Sequence, residues 1–143
     1  MPAVKVLIAD DHAHVLEHLV NLLKDRFDVV GTVNHGNLLI DATVRLRPDV
    51  VVTDVSMPGL SGLEAVRLLR AARPEAKVIV LTMYAEAELA AEAMRLGATG
   101  FVQKHAAVQQ LPIAIMEALE GRVYLAPAIA KDVLGKMSDT ESA

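Results

Sequence analysis

Five short runs rich in β-branched residues, each followed by a longer stretch of helical periodicity, limit what this chain can become. The runs are Val4–Ala9, Asp28–Val33, Val50–Asp54, Lys77–Thr82 and Gly100–Gln103. Between and after them, Val15–Lys24, Asn37–Leu46, Leu63–Arg73, Glu86–Leu96 and Val108–Glu120 repeat apolar residues at helical spacing, as Val15, Leu16, Leu19, Leu22 and Leu23 do. Strands that recur every roughly 22 to 28 residues with a helix between them imply right-handed crossovers and a parallel sheet. The expectation is a doubly wound α/β domain with a five-stranded parallel sheet. The 143 residues are enough for one such domain, and 53% hydrophobic residues with only two Phe and two Tyr describe an aliphatic core of the kind a sheet covered on both faces requires.

Two segments fit this pattern less simply. Pro112, in QQLPIAIM, lacks the N–H an interior helical position uses, so it is expected within or next to the first turn of the last core helix. Glu86–Leu96 is rich in Ala and buries little area per residue, which marks that helix as a candidate for the mobile part of the fold. Beyond Gly121, RVYLAPAIAKDVLGKMSDTESA suggests one more short helix, roughly Pro127–Met137, and then a polar tail with the composition of a linker. Residues 1–121 form the expected domain, and 122–143 a linker helix and tail.

Several chemistries lose their support. There is no Cys for a disulfide, a thiolate metal site or a cysteine nucleophile. ADDHAH follows the first strand where a dinucleotide or ATP site would need a Gly-rich loop, and no GxSxG elbow is present. The N-terminus carries no secretory signal pattern and no apolar run approaches a membrane span, so a cytoplasmic protein without membrane contact is expected. A net charge of −4 without a dense Lys/Arg patch argues against direct nucleic-acid binding by this chain.

What remains is acidic. Open parallel sheets bind ligands outside the carboxyl ends of their strands, where strand order reverses. The first strand ends in Asp10 and Asp11, the third in Asp54, the fourth in Thr82, and the fifth runs into Lys104. With the common order 2-1-3-4-5, the three carboxylates share one crevice. Like charges at a partly buried site repel by on the order of several kcal/mol, so they need compensation. Lys104 offsets one charge, and a divalent cation would offset two more. An all-oxygen set suits Mg²⁺, with Mn²⁺ as a substitute, far better than Zn²⁺. Taken singly, Asp54 could simply end a strand and Asp10 and Asp11 could cap the next helix. Taken jointly, a carboxylate beside a metal, a lysine and a hydroxyl is equipped to attack a phosphoryl group and form an acyl phosphate. The added charge of about −1.5 to −2 would draw Thr82 and its loop inward. Of the remaining polar residues, His14 and His18 fit a solvated helix face, His12 and His105 flank the crevice, and Met57 fits a packing role.

With Asp10-Asp11, DVSMPGLSG around Asp54, Thr82, Phe101 and Lys104 in place, the chain resembles the receiver domain of bacterial two-component response regulators over roughly Val4 to Gly121. IADDH, SMPGLSGLEA, the His that follows Lys104, and GRVYLAP resemble the NarL/FixJ subgroup. The resemblance implies the flavodoxin-like receiver fold and makes Asp54 the phosphoacceptor, charged by a sensor histidine kinase and discharged autocatalytically, without conventional enzyme turnover. It implies Mg²⁺ bound by Asp11, Asp54 and the main-chain carbonyl of Ser56, with Asp10 acting through water. It makes Thr82 the switch hydroxyl and Phe101 a switch aromatic that swings inward, and it gives Ser56 and Tyr84 control over the lifetime of the acyl phosphate. It further implies a change of dimer or effector contacts, and transcriptional output through a helix-turn-helix DNA-binding domain that this chain lacks. An aspartate-nucleophile phosphatase is the rival from the enzyme class, although Ser56 stands where such enzymes commonly carry a second acid. A receiver that no longer needs phosphate is the rival from the interaction class.

Overall fold

The computed structural model describes residues 3–83, 86–125 and 130. In chain order the elements are β1 (Lys5–Ala9), α1 (Ala13–Leu23), β2 (Asp28–Val33), α2 (Gly36–Leu46), β3 (Val50–Asp54), β4 (Ser56–Met57), β5 (Leu60–Ser61), α3 (Gly62–Ala72), β6 (Lys77–Thr82), α4 (Ala87–Arg95), β7 (Gly100–Gln103), a 3-10 turn at Lys104–Ala106, α5 (Ala107–Leu119) and β8 (Tyr124–Leu125). The main sheet is parallel with order β2-β1-β3-β6-β7-β8, and β4 and β5 form a small separate hairpin. The expected order 2-1-3-4-5 is present as β2-β1-β3-β6-β7. A sixth strand is added at its edge.

Alternation along the buried strands sorts the core into two layers. Leu7, Val51, Val78, Val80 and Phe101 face α2, α3 and α4, where Leu39, Ala65, Leu69, Ala90 and Ala93 meet them. Val6, Ile8, Val50, Val52, Ile79 and Leu81 face α1 and α5, against Leu19, Leu23, Leu111 and Ile115. Strands buried on both faces read as continuous apolar runs, and for that reason β3 has no polar residue before Thr53.

The structure departs from the sequence reading at three places. Pro112 is the sixth residue of α5, in its second turn, one step deeper than expected. Its ring is buried, so packing offsets the hydrogen bond that the Val108 carbonyl forgoes. Tyr124 and Leu125 do not belong to a linker helix but pair with Gly100 and Phe101 as β8. The left-handed Gly121 (φ 80°) ends α5 and turns the chain back along the sheet edge. The third departure is the β4–β5 hairpin, built on the positive-φ Gly59 where only a loop was expected. The helix expected over Pro127–Met137 and the polar tail lie outside the described residues, apart from Ala130.

Candidate functional site: an acidic cleft at the carboxyl end of the sheet

Register places the site. Ala9 pairs with Thr53, and Asp54 pairs with Leu81, so the residues just past β1, β3 and β6 emerge side by side. Asp10 is fully buried, with its N–H donating to the Val33 carbonyl at 3.1 Å, and Asp54 is 4% exposed. Asp11 is the outermost of the three. Lys104, carried by the turn after β7, reaches across the strand ends, with its Nζ 2.8 Å from Asp10 Oδ2 and 3.0 Å from Asp54 Oδ2. Its ammonium bridges the two buried acids.

These contacts set the charge states. Burial pushes the Asp54 carboxyl above its ordinary value, and the Asp10 charge adds to the shift. The hydrogen bond and charge of Lys104 and the Ser56 N–H, 3.3 Å from Asp54 Oδ1, pull it back only in part. Burial alone would lower Lys104, but its hydrogen bonds and charge contacts with Asp10 and Asp54 hold it above its ordinary value. Lys104 stays an ammonium, and Asp54 is an uncomfortable carboxylate.

The helix-capping alternative for the two N-terminal acids is not what α1 uses. Its N-cap is His12, and no side chain caps it. Asp10 instead accepts the His12 N–H at 2.9 Å in a local turn. The His12 Nδ1 lies 3.1 Å from Asp10 Oδ1 and 3.0 Å from Asp11 Oδ1, a bridge that sequence reasoning noted only as a flanking histidine. The run DDH was its one signal.

Among the described residues, Asp10, Asp11, His12 and Asp54 can each offer a ligand atom, all within 4.8 Å of one another. Asp10 Oδ2, fully buried, is held by the Lys104 ammonium at 2.8 Å. Hard oxygen donors of this number and charge fit a divalent cation.

A cleft of about 340 Å³ opens beside these groups, lined by Asp11, Asp54, Ser56, Thr82, Glu86 and Lys104 among others. Of the expected site residues, Asp10, Asp11, Asp54, Ser56, Thr82 and Lys104 are therefore brought together. Glu86 and Met83 on the rim were not anticipated. Thr82, 2% exposed, ends β6 beside Asp54. Phe101 does not line the cleft: its ring is completely buried in the core layer that α2, α3 and α4 cover. Tyr84 lies outside the described residues. Met57 packs into the core, while His14 and His18 are exposed on α1.

Comparison with known proteins agrees with this geometry. Residues 6–116 match the response regulator receiver domain family. The response regulator GacA of Pseudomonas aeruginosa is 36% identical over 132 residues, covering 91% of this chain and 62% of its own length. The chain thus spans less than two thirds of that relative. A two-component response regulator of the LuxR family from Aurantimonas superposes with a TM-score of 0.88 at 28% identity, covering 94% of this chain and 98% of that one. The isolated receiver domain of RcsB from Salmonella enterica serovar Typhimurium, solved with the phosphomimetic BeF₃⁻, gives a TM-score of 0.83 at 28% identity over 91% of this chain and 98% of that one. An α/β sheet of this order, an acid-and-lysine cleft at its carboxyl end and these matches have one explanation: the chain belongs to the receiver domains of two-component response regulators, on the NarL/FixJ-like side of that family.

Proposed function

We propose that Asp54 is the phosphoacceptor of a signalling switch and that a sensor histidine kinase supplies the phosphoryl group. The observation that carries this reading is the pairing of a buried, charge-frustrated Asp54 with Lys104 at 3.0 Å, beside two further carboxylates. An Asp54 carboxylate oxygen attacks phosphorus while the P–N bond to the donor imidazole breaks and the imidazole leaves, taking a proton from water. Lys104 is placed to hold a phosphoryl oxygen as the carboxylate is consumed, and the Thr82 hydroxyl to donate to another. Asp11, Asp54 and the Ser56 carbonyl would hold Mg²⁺, or Mn²⁺ in its place, with Asp10 acting through water; the bound ion supplies neutralisation of phosphoryl charge. Hydrolysis returns the carboxylate and phosphate. Ser56, on the cleft wall, and Tyr84 would tune access of the attacking water.

The product adds charge next to Thr82, and the response is a rearrangement of the Glu86–Phe101 face that alters dimer or effector contacts. In this reading DNA binding would belong to a helix-turn-helix output domain of a cytoplasmic transcriptional regulator. Self-catalysed transfer and hydrolysis would be its whole chemistry. Incubation with acetyl phosphate and Mg²⁺ should add one phosphoryl mass to the wild-type chain and none to Asp54→Ala. Equal labelling of the two, or none of either, overturns the reading.

A further inference from the structure

An all-oxygen donor set favours Mg²⁺, but the folded cleft adds a nitrogen to that set. His12 is the N-cap of α1, with an extended backbone (φ −104°, ψ 116°), and its ring lies against the acids although 65% of it is exposed. The Nδ1 atom is 3.0 Å from Asp11 Oδ1 and 3.1 Å from Asp10 Oδ1. Two neighbouring ligands of an octahedral dication, each about 2.1 Å from it, are separated by √2 times that length, about 3.0 Å. The imidazole nitrogen therefore stands one coordination edge from each carboxylate.

The other contacts decide which edge is open. Asp10 Oδ1 already accepts the His12 N–H at 2.9 Å, and Asp10 Oδ2 faces the Lys104 ammonium at 2.8 Å. Lys104 also holds Asp54 Oδ2 at 3.0 Å, while Asp54 Oδ1 has only the 3.3 Å contact with the Ser56 N–H. An entering cation thus disturbs least by taking Asp11 Oδ1, His12 Nδ1 and Asp54 Oδ1. Asp11, His12 and Asp54 belong to the set that can bring ligand atoms within 4.8 Å of one another. Mg²⁺ keeps to oxygen and water, whereas imidazole suits Fe²⁺, Ni²⁺ and Zn²⁺.

We propose that His12 is a ligand of the cleft cation through Nδ1, and that it biases this cleft towards the later first-row dications, Co²⁺, Ni²⁺ and Zn²⁺, more than an all-oxygen cleft would be. The inference rests on the cation site proposed above and not on the acceptor role of Asp54. Ligation needs the tautomer that carries its proton on Nε2. Without a cation, the same Nδ1 bridges two carboxylates by carrying the proton itself. The ion takes over that bridge.

Mn²⁺ serves as the spectroscopic probe, added to the full chain with no phosphodonor present. Electron spin-echo spectra of Mn²⁺ bound to the wild type should show ¹⁴N modulation, and His12→Gln should bind Mn²⁺ without it. A double variant, His14→Gln with His18→Gln, removes the other exposed imidazoles of α1 and should keep the modulation. Displacement of bound Mn²⁺ by Co²⁺ and by Mg²⁺ gives the preference between them, which His12→Gln should reduce about tenfold. Wild-type Mn²⁺ without ¹⁴N modulation, or modulation that survives His12→Gln, overturns the ligand. An unchanged Co²⁺-to-Mg²⁺ preference overturns the selectivity. Mn²⁺ that stays unbound, or that Asp11→Ala binds as tightly as the wild type, overturns the cation site and the role of His12 with it. Missing modulation beside normal acetyl phosphate labelling of Asp54 strikes His12 alone.

Discussion

Asp54 sits in a mismatch between what burial imposes on it and what its partners return. Its carboxyl is raised because desolvation outweighs Lys104 and Ser56, so ionising it within the fold costs stability. A carboxyl raised in the folded state contributes stability that is complete below its unfolded value of 3.8 and is lost as pH rises through the folded-state value. Without divalent cation, Asp54→Asn should therefore melt a few degrees above wild type at neutral pH, an effect of about 1 kcal/mol. The difference should shrink to nothing below the unfolded carboxylate range. Thermal denaturation in EDTA across that pH span measures it, and a wild type as stable as the variant at neutral pH would count against the frustrated carboxylate.

At the scale of elements, the loop from β3 to α3 forms one wall of the cleft, with Val55 and Ser56 on its lining. Gly62 donates its N–H to the Val55 carbonyl at 2.7 Å, and a Cβ at this position would come within 2.4 Å of the Val55 Cα and carbonyl oxygen. Backbone cannot yield as a side-chain tip can. Gly62→Ala should therefore cost roughly 2–3 kcal/mol in chemical denaturation and lower the acetyl phosphate labelling rate at least tenfold, because the wall of the cleft moves. A variant of unchanged stability and rate would remove the loop from the account. The elements themselves were largely legible in the sequence. β2, β3, β6 and β7 have the bounds their β-branched runs suggest, and the helices begin within two residues of their periodic stretches. The hairpin of β4 and β5, and the edge strand β8, were not legible, because two-residue strands carry no periodicity and form only where tertiary partners wait for them.

For the whole molecule, sheet topology converts residues far apart in the chain into one acidic cleft. Asp10, Asp54 and Lys104 meet because β1, β3, β6 and β7 are parallel neighbours ending together. The topology was inferable from the strand–helix alternation, and for that reason the site was legible before the elements around it. The His12 bridge between Asp10 and Asp11 was not, since it depends on a rotamer. A cation bound to this cluster binds the folded state only, so Mg²⁺ at a hundredfold excess over its dissociation constant should stabilise the protein by about 2.7 kcal/mol. Asp11→Ala should lose most of that gain in a thermal-shift titration, and an equal gain in the variant would place the ion elsewhere. The central claim is that Asp54 alone receives the phosphoryl group. Borohydride reduces an aspartyl phosphate to homoserine and leaves free carboxylates untouched, so peptide mass spectrometry after labelling with acetyl phosphate and Mg²⁺ reads the acceptor directly. Homoserine at position 54 and at no other aspartate is the expected result; homoserine at Asp10 or Asp11, or at none of the three in a labelled chain, would contradict it.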